Sequence, residues 1–446
     1  MKRRWGTALA VAWMILIAAC TPPERTVTSQ APLAPSPAPT SSPSGVVPLP
    51  EPPASASSLP GNLLVRTAAG GLQLVRPDGA AARVVVEGGS DEIVVLTAAW
   101  SPDGDRIAWS QIDALGDAAA RVVWSDLDGG RRAEALVPFA PFYLSWDPTS
   151  SRVAFLGGNA TFTLGIMERT NGQTAGRPLA NGQPFYFSWA PDGERLVTHV
   201  DERLLDTVTL DGKIEHLVGV TGLFQAPVWT SDGETLVYAA VDEGLVARDV
   251  GTGEVRSLAP LDGGAFLVVS ADGRRVAFHA RGANEQDFYE RDLPETATDL
   301  GVRVVGIAGG PETQVTEAPA IAWSWSPDGR RLAILEPVYD DDAIRFRWVV
   351  WDGTDTVAFE PFVATVGMQQ GEVPFFSQFA QSATMWAPNS KAFAYAAELP
   401  DGTNAIWIQP VEADEAAYPV ATGVGVSWSP VAGALTLSAG SIASIG

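Results

Sequence analysis

A tryptophan-led turn motif recurs along most of this chain, and its spacing constrains the fold more than any other feature. The motif is strongest at Trp100-Ser101-Pro102-Asp103-Gly104, where a short apolar segment follows it. Its eight copies begin at Trp100, Trp146, Trp189, Trp229, Val269, Trp325, Trp386 and Trp428. They are separated by 46, 43, 40, 40, 56, 61 and 42 residues. A recurrence of roughly 40 to 45 residues is typical of the blades of a β-propeller.

The sequence within one repeat predicts four short strands. A strand ends at the anchor tryptophan, and Pro102-Asp103-Gly104 then favours a tight turn, because proline fixes φ and glycine accepts a positive φ. An apolar strand such as 331–335 follows, and a second acidic-glycine turn, as at Asp128-Gly129, separates the third strand from the fourth. The chain shows no helical period and no long helix-forming stretch. We therefore predict an all-β propeller.

The number of blades depends on how the ring closes. Segments 63–86 and 425–439 supply further strands from the two ends of the repeat region. Pairing the two ends in one composite blade gives eight four-stranded blades and removes the exposed edges of an open sheet. Both ends offer a candidate for the second strand of that blade, so seven blades stay open as an alternative.

These repeats resemble the TolB-type propeller repeat, in which WSPDG-like turns join the innermost strand of a blade to the second. The resemblance extends over about residues 62 to 440. It implies a propeller fold but no particular function, because the family includes scaffolds, binding modules and accessory domains of peptidases. The helical N-terminal domain of TolB has no counterpart here, so the role of TolB does not carry over whole.

Residues 1–20 predict a bacterial lipoprotein signal peptide. Basic residues 2–4 precede an apolar stretch that ends at Ile-Ala-Ala-Cys20, which resembles a lipobox. The stretch would barely span a bilayer as a mature helix, which favours cleavage. In the lipobox family the cysteine carries diacylglycerol, so we expect lipidation at Cys20 and an extracytoplasmic protein anchored to a bacterial membrane, at the cell surface or in the periplasm. A plain anchor helix with an incidental Cys20 is the alternative.

Residues 21–60 are predicted to form a disordered tether, and residues 61–446 the propeller domain. Twelve of the forty tether residues are proline, and most others are Ser, Ala or Thr. Such a segment cannot bury enough apolar surface to fold. In polyproline II geometry it would reach on the order of 100 Å.

The charge of the chain limits its partners. The 446 residues carry a net charge of −23, and loss of a signal with three basic and no acidic residues takes this to −26. A surface this acidic repels nucleic-acid phosphates, so we expect no nucleic-acid partner. Because Cys20 is the single cysteine, no intramolecular disulfide can form. We expect a monomer stabilised by its core and by closure of the ring.

Motifs for catalysis or metal binding are sparse. His199 and His279 occupy equivalent places near the ends of second strands, but neither they nor His216 have the companions of a metal site. The chain contains no Gly-x-Ser-x-Gly elbow, and residues 126–129 lack the further oxygens of an EF-hand-like loop. We predict no catalytic residue, no metal site and no cofactor. The anchor tryptophans are expected between blades rather than in a sugar site.

The loops opposite the turn motifs carry the better functional candidates. Connections between second and third strands and between blades vary in length and fall on one face, and function concentrates in such loops. The aromatic candidates are Phe142, Phe185, Tyr186, Phe224, Phe266, Phe375 and Phe376. The acidic candidates are Asp201, Glu202, Asp242, Glu243, Asp340, Asp341 and Asp342. Aromatic rings near the axis and carboxylates at the rim would suit a basic peptide, an amine or a sugar.

Two functions stay open from the sequence. A lipid-anchored binding or scaffold protein would use the loop-bearing face to bind a protein, peptide or glycan. A propeller enzyme (a hydrolase, lactonase or lyase) would place a polar cluster at the axial mouth. The structural alternative for the same residues is that solvated loops are often acidic and that aromatic residues before an inner strand cover the core. Excursions 281–322 and 336–384 are expected to widen the face and to be specific to the partner.

Overall fold

The computed structural model describes the chain between residues 49 and 433, apart from short internal gaps. The described ranges are 49–89, 93–113, 120–158, 161–170, 173–183, 185–200, 204–218, 226–261, 264–280, 301–339, 344–373, 376–412 and 415–433. Cys20 and the predicted signal therefore lie outside the described residues. Within the described ranges no helix has the length and hydrophobicity needed to cross a membrane.

The described strands form eight antiparallel sheets, numbered here as blades 1 to 8. The chain begins with the three outer strands of blade 8, which are β1 (Leu63–Arg66), β2 (Leu72–Val75) and β3 (Ala82–Val86). Blade 1 contains β4 (Ile93–Trp100), β5 (Arg106–Asp113), β6 (Ala120–Asp126) and β7 (Arg132–Val137). Blade 2 contains β8 (Pro141–Trp146), β9 (Val153–Gly158), β10 (Phe162–Thr170) and β11 (Gln173–Gly182).

Blades 3 to 5 repeat this arrangement of four strands. Blade 3 contains β12 (Phe185–Trp189), β13 (Arg195–Val200), β14 (Leu204–Thr209) and β15 (Ile214–Val218). Blade 4 contains β16 (Val228–Trp229), β17 (Thr235–Ala240), β18 (Gly244–Asp249) and β19 (Val255–Ala259). Blade 5 contains β20 (Ala265–Val269), β21 (Arg275–Ala280), β22 (Arg303–Gly306) and β23 (Thr313–Gln314).

The last blades complete the ring. Blade 6 contains β24 (Ala322–Trp325), β25 (Leu332–Tyr339), β26 (Ile344–Trp351) and β27 (Thr356–Ala358). Blade 7 contains β28 (Ala392–Glu398), β29 (Asn404–Pro410) and β30 (Tyr418–Thr422), and a bridge between Trp386 and Phe393 stands in place of its first strand. The first strand of blade 8 is β31 (Gly425–Trp428).

First strands of successive blades contact one another around a common axis, and the ring closes through paired ends of the chain. β31 pairs antiparallel with β1, with Leu63 opposite Trp428 and Arg66 opposite Gly425. One strand of the composite blade thus comes from the C-terminal end and three come from the N-terminal end. The structure is an eight-bladed β-propeller, as the motif spacing predicts, and β1 takes the contested second place in blade 8.

The anchor tryptophans lie in the interfaces between neighbouring blades, as predicted. All seven are buried, with at most 7% of any one exposed. Five indoles donate a hydrogen bond to the backbone of the preceding blade, always to the residue just before its anchor. The bonds run from Trp100 to Ser427, Trp146 to Ala99, Trp189 to Ser145, Trp325 to Val268 and Trp386 to Ser324, over 3.0–3.3 Å. Trp428 instead donates to the carbonyl of Pro60 over 2.8 Å.

The turns after the anchors depend on one residue with a positive φ. Gly104 has a φ of +73° there, and Ser150 and Ser390 take the same place with φ values of 58° and 60°. Each serine hydroxyl accepts a hydrogen bond from a turn amide of the preceding blade, Ser150 from Asp103 and Ser390 from Asp328. This bond offsets the cost of a left-handed serine. It also explains why these two of the three copies without glycine at this place still form the turn.

The turn aspartates stabilise the turns and do not face a reaction site. Asp232, for example, accepts a hydrogen bond from the Thr230 hydroxyl over 2.6 Å, and this bond lowers the pKa of Asp232. Asp328 and Asp272 accept equivalent bonds from Ser326 and Ser270. The acidic residue of the motif is therefore a hydrogen-bond acceptor for its own turn.

The end of the predicted tether packs against the propeller. Ala54–Ser58 form a single 3-10 helix, and Ala56 is 1% exposed in a cluster with residues of blades 5 to 8. The chain then supplies Pro60 to the Trp428 indole, and Pro52 lies against the turn at Gly79. Residues 49–60 therefore run along the side of blade 8 that carries its tight turns.

Removing an anchor indole is expected to weaken the whole ring. Trp325→Ala should lower the free energy of unfolding of the mature chain by about 3–5 kcal/mol, because it leaves a cavity between blades 5 and 6. Trp325→Phe keeps most of the packing and should lose only about 1 kcal/mol with its hydrogen bond to Val268. Urea denaturation followed by far-UV circular dichroism measures both values.

The control for these variants is Leu136→Ala on the outer strand of blade 1. Its side chain is 65% exposed, so its removal should change the unfolding free energy by less than about 0.5 kcal/mol. An unfolding curve of Trp325→Ala that overlies that of the wild type would contradict the role of the anchors.

Candidate functional site

The two faces of the propeller differ in their connections. The face that carries the turns after the anchors and between third and fourth strands is called here the turn face. The opposite face, which carries the connections between second and third strands and between blades, is called the loop face. Because the turns are short and repetitive, the chain differs most from blade to blade on the loop face.

The long connection between blades 6 and 7 crosses the loop face toward the axis. Phe362 first bridges to Phe346 of blade 6, and Ala364 then bridges to Ala397 of blade 7. The Thr365 hydroxyl donates to the carbonyl of Val424, just before blade 8, over 3.0 Å. We call the part that follows, residues 365–373 and 376–385, the axial segment. It contains a π-helical turn, Met368–Glu372, and a short helix α1, Phe376–Phe379.

Helix α1 lies at the axis and closes the centre of the loop face. It contacts the first strands of three blades that are not all neighbours, namely β12, β20 and β24. Phe376, Ser377 and Gln378 are each at most 8% exposed. The excursion between blades 6 and 7 thus covers the axial mouth, whereas its length in the sequence predicted that it would widen the loop face.

Gln378 binds the inner strand of blade 3 in the manner of a neighbouring strand. Its Oε1 accepts a hydrogen bond from the Phe187 amide over 2.9 Å, and its Nε2 donates to the Phe187 carbonyl over 2.7 Å. An inner strand has one edge without a strand partner, and buried backbone groups there need hydrogen bonds. The side-chain amide satisfies both groups of Phe187.

Two aromatic sockets hold the phenylalanines of α1. The ring of Phe376 lies 4.4 Å from that of Trp323 and 5.5 Å from that of Phe266. The ring of Phe379 meets Tyr143 edge to face at 5.1 Å. Such pairs add to the free energy gained from burial alone. Blades 2, 5 and 6 therefore contact the aromatic rings of the helix from different sides of the axial mouth.

Tyr143 also contacts the helix through its hydroxyl group. The hydroxyl donates to the backbone carbonyl of Gln378 over 2.9 Å. Burial raises the pKa of Tyr143, although hydrogen bonds with Ser382, Gln378 and Ser145 oppose the shift. The phenol is therefore protonated at neutral pH and acts as a donor.

Glu372 and Arg66 connect the axial segment to blade 8. Their side chains approach to 3.7 Å, and Arg66 also donates to the Leu96 carbonyl of blade 1 over 2.7 Å. About a third of the Glu372 side chain is accessible to solvent. Partial desolvation of its carboxyl group raises the pKa of Glu372 to about 7, and Arg66 only partly opposes this shift.

An aromatic cleft beside α1 stays open to solvent. It is small, because only about 20 Å³ is available to the centre of a water-sized molecule, which is room for about one water. The residues that line it are Phe142, Tyr143, Leu156, Phe162, Phe185, Tyr186, Gln378 and Phe379. None of them carries a formal charge, and the surface that the cleft exposes is apolar, because the Tyr143 hydroxyl and the Gln378 amide are buried and hydrogen-bonded within the protein. We call it the aromatic cleft.

A β-bulge places Phe142 at this cleft. β8 pairs with β9 through Pro141 and Tyr143, and the register shifts between them, so Phe142 is the extra residue. Its ring meets Phe162 edge to face at 5.1 Å. Phe185 and Tyr186 come from the start of β12, where Tyr186 also stacks on His199 at 6.2 Å.

The structure brings the predicted aromatic residues into two groups. Phe142, Phe185 and Tyr186 share the aromatic cleft, and Phe266 and Phe376 lie together under α1. Phe185, Tyr186 and Phe376 are buried, and Phe142 and Phe266 are partly buried. Their sequence positions place all five on one face but do not distinguish the residues that an incoming ligand can reach from those that are buried.

The predicted acidic residues lie only partly within the described ranges. Asp242 and Glu243 are exposed at the tip between β17 and β18, on the loop face. The candidates outside the described residues are Asp201, Glu202, Phe224, Asp340, Asp341, Asp342 and Phe375.

The histidines have structural contacts. His199 is fully buried, and His279 is 6% exposed with Nδ1 3.2 Å from the Gly301 carbonyl oxygen. His216 lies on the outer strand of blade 3, where Nδ1 is 2.6 Å from Asp206. Among the described residues, no three His, Cys, Asp or Glu side chains are grouped so that they could hold a metal ion.

Comparisons with known proteins return no family and only distantly similar structures. No family model and no curated protein matches the sequence. Similar solved structures include TolB from Acinetobacter baumannii, with 15% identity and a TM-score of 0.38 over 73% of this chain and 83% of that one. They also include a eukaryotic initiation factor, with 12% identity and a TM-score of 0.48 over 83% and 99% of the two chains.

An oligogalacturonate lyase from Vibrio parahaemolyticus is similar to the same degree. Its identity is 14% and its TM-score 0.44, over 68% of this chain and 85% of that one. Identities and scores at this level transfer no function. The propeller fold of this chain follows from its own eight sheets.

The raised pKa of Glu372 gives stability a specific dependence on pH. A carboxyl group whose pKa is higher in the folded state adds stability when protonated, and this contribution is lost as the pH rises from about 4.5 through about 7. The unfolding free energy of the wild type minus that of Glu372→Gln should therefore fall across this range and level off above it. Urea denaturation of both proteins at a series of pH values measures the difference. A difference that rises with pH would contradict the placement of Glu372.

Proposed function

We propose that this chain is a lipid-anchored extracytoplasmic binding or scaffold protein that uses its loop face to bind a protein, peptide or glycan. The observation that carries the proposal is the aromatic cleft, which is uncharged, open to solvent and next to a closed axial mouth. Ligand sites are lined predominantly by apolar and aromatic side chains, and the lining of this cleft has that character.

The chemistry of the cleft favours a ligand with an apolar or aromatic group. Phe142 and Phe162 offer ring surface, and burying that surface contributes roughly 25 cal/mol for each Å² removed from water. An aromatic or aliphatic side chain of a protein fits this composition, as does the apolar face of a sugar ring.

The charge of the chain favours a cationic or neutral ligand. The mature chain carries a net charge of −26 by its sequence, and Asp242 and Glu243 are exposed on the loop face. Such a field accelerates the approach of basic partners and slows that of acidic ones. Once a partner has approached in this electrostatic field, the aromatic cleft would provide the short-range packing contacts with it.

The closed mouth supports binding over catalysis at the axis. An enzyme of this class would need reacting polar groups at the axial mouth, and this place is filled by α1. The polar groups of Gln378 there are used by the backbone of Phe187 and by Tyr143. Among described residues, the groups at the mouth therefore hold the axial segment in place.

The point where the chain enters the propeller supports the use of the loop face. Residues 49–60 approach along the turn side of blade 8, and Pro60 is held by the Trp428 indole. A lipid at Cys20 would then be connected to the propeller on its turn face. The loop face would lie on the opposite side of the propeller from this attachment point. A partner could reach the aromatic cleft without passing the tether.

Lipidation at Cys20 can be tested directly. Expression in a bacterium that processes lipoproteins should place the wild type in the detergent phase of a Triton X-114 extract, because the lipid adds about 0.8 kcal/mol of membrane affinity for each buried CH₂. Cys20→Ser should move to the aqueous phase or remain unprocessed at higher mass. Equal partition and equal mass of the two proteins would contradict the anchor.

The aromatic cleft can be tested with matched variants. Mature protein immobilised through its C-terminus should retain a partner from detergent-solubilised envelopes of the source cells. The double variant Phe142→Ala with Phe162→Ala should lose at least 90% of that partner, because both rings face the cleft.

Leu136→Ala is the control, since its exposed side chain lies on an outer strand away from the cleft. It should retain the partner as well as the wild type does. Equal retention by all three proteins with equal melting temperatures would contradict the cleft as the binding surface.

A further inference from the structure

We propose that the axial mouth is itself a peptide-binding site, and that residues 376–379 occupy it as a built-in competitor of a segment from another protein. The inference rests on the proposed function and names the ligand class, which is a peptide with two aromatic side chains three positions apart and an amide side chain just before the second.

The contacts of α1 have the form of ligand recognition rather than of a continuous core. The helix is one turn long and contacts blades 2, 3, 5 and 6. Of these, only blade 6 is next to the helix along the chain. Phe376 and Phe379 pack in separate aromatic sockets, while the Gln378 side chain forms hydrogen bonds with the backbone of Phe187. Anchors in pockets together with backbone hydrogen bonds are how peptides are bound by preformed sites.

The docked segment leaves polar atoms without partners. The Ser377 hydroxyl is buried in a side chain that is 1% exposed, and it has no hydrogen-bond partner. The Nε2 atom of Gln381 is also buried without one. Since an unmade bond on a buried polar atom opposes docking, the segment binds its mouth less tightly than its aromatic contacts allow. A foreign peptide that lacks these atoms would compete with it.

The aromatic cleft supplies a route for that competition. Gln378 and Phe379 line the cleft as well as the mouth, and Tyr143 borders both. A peptide that first places an aromatic side chain among Phe142, Phe162 and Phe185 would lie next to Phe379. Displacement of α1 would then exchange one aromatic–amide–aromatic segment for another.

The experiment uses a synthetic peptide of residues 373–383 with blocked ends and a fluorescent label. Fluorescence anisotropy measures its binding to the mature wild type and to Gln378→Ala, which removes both bonds to Phe187. We expect at least tenfold tighter binding to Gln378→Ala, because its own segment is held less firmly. A peptide with alanine at positions 376 and 379 should not bind either protein.

Two further variants give the experiment its controls. Gln409→Ala removes a buried glutamine far from the mouth, whose Nε2 donates to Pro410, and it should bind the peptide as the wild type does. Ser377→Ala removes the unpartnered hydroxyl and should bind the peptide at least threefold more weakly than the wild type. The second variant keeps the test informative if Gln378→Ala does not fold.

The outcomes separate this inference from the proposed function. Equal peptide binding by wild type, Gln378→Ala and Ser377→Ala, or equal binding of the alanine peptide, would overturn the inference. If the Phe142 and Phe162 double variant still loses its envelope partner in that case, the proposed function stands without it. Opposite shifts for Gln378→Ala and Ser377→Ala would support the competitor role of residues 376–379.

Discussion

The hydrogen bond from an anchor indole to the inner strand of the preceding blade is the interaction on which this structure depends. It recurs with the same register at five blade interfaces, always to the carbonyl one residue before the neighbouring anchor. The buried indole and this bond set the distance and angle between two sheets at once. Because the ring is closed, each interface is constrained by all the others.

Closure of the ring makes the two ends of the chain part of that constraint. The Trp428 indole donates to the Pro60 carbonyl and not to the inner part of blade 7. β31 and β1 then pair over four residues, so an opened ring would lose a ladder and an interface together. The rigidity of the ring leaves the loop face free to vary, since its connections are not needed to join the blades.

The repeat could be predicted from sequence because each copy carries its own local signals. Pro102, Asp103 and Gly104 determine a turn by backbone preference alone, and Trp100 marks its start. The strand order within a blade and the burial of the anchors followed from these signals, whereas the choice between seven and eight blades needed the observed pairing of β31 with β1. Two of the weak copies can be explained afterwards, since Ser150 and Ser390 replace glycine with the help of a hydrogen bond from the turn of the preceding blade.

The axial segment could not be predicted in the same way. Helix α1 is too short to show a hydrophobic period, and the bonds of Gln378 join positions 191 residues apart. Phe376 looked like a residue of an open face, yet tertiary packing buries it against Trp323 and Phe266. The one signal available was the length of the connection between blades 6 and 7, which marks an excursion but not its path. Glu372, Gln378 and Phe379 were therefore missed as site residues.

The most direct test of this account is hydrogen–deuterium exchange of the mature chain, read by mass spectrometry. The inner strands β8, β12 and β24 should exchange only when the whole ring unfolds, because their interfaces depend on one another. Residues 376–382 should exchange faster, through local opening of the mouth while the ring stays closed. Inner strands that exchange blade by blade at unrelated rates, or an axial segment as protected as the inner strands, would contradict a closed ring with a displaceable segment at its axis.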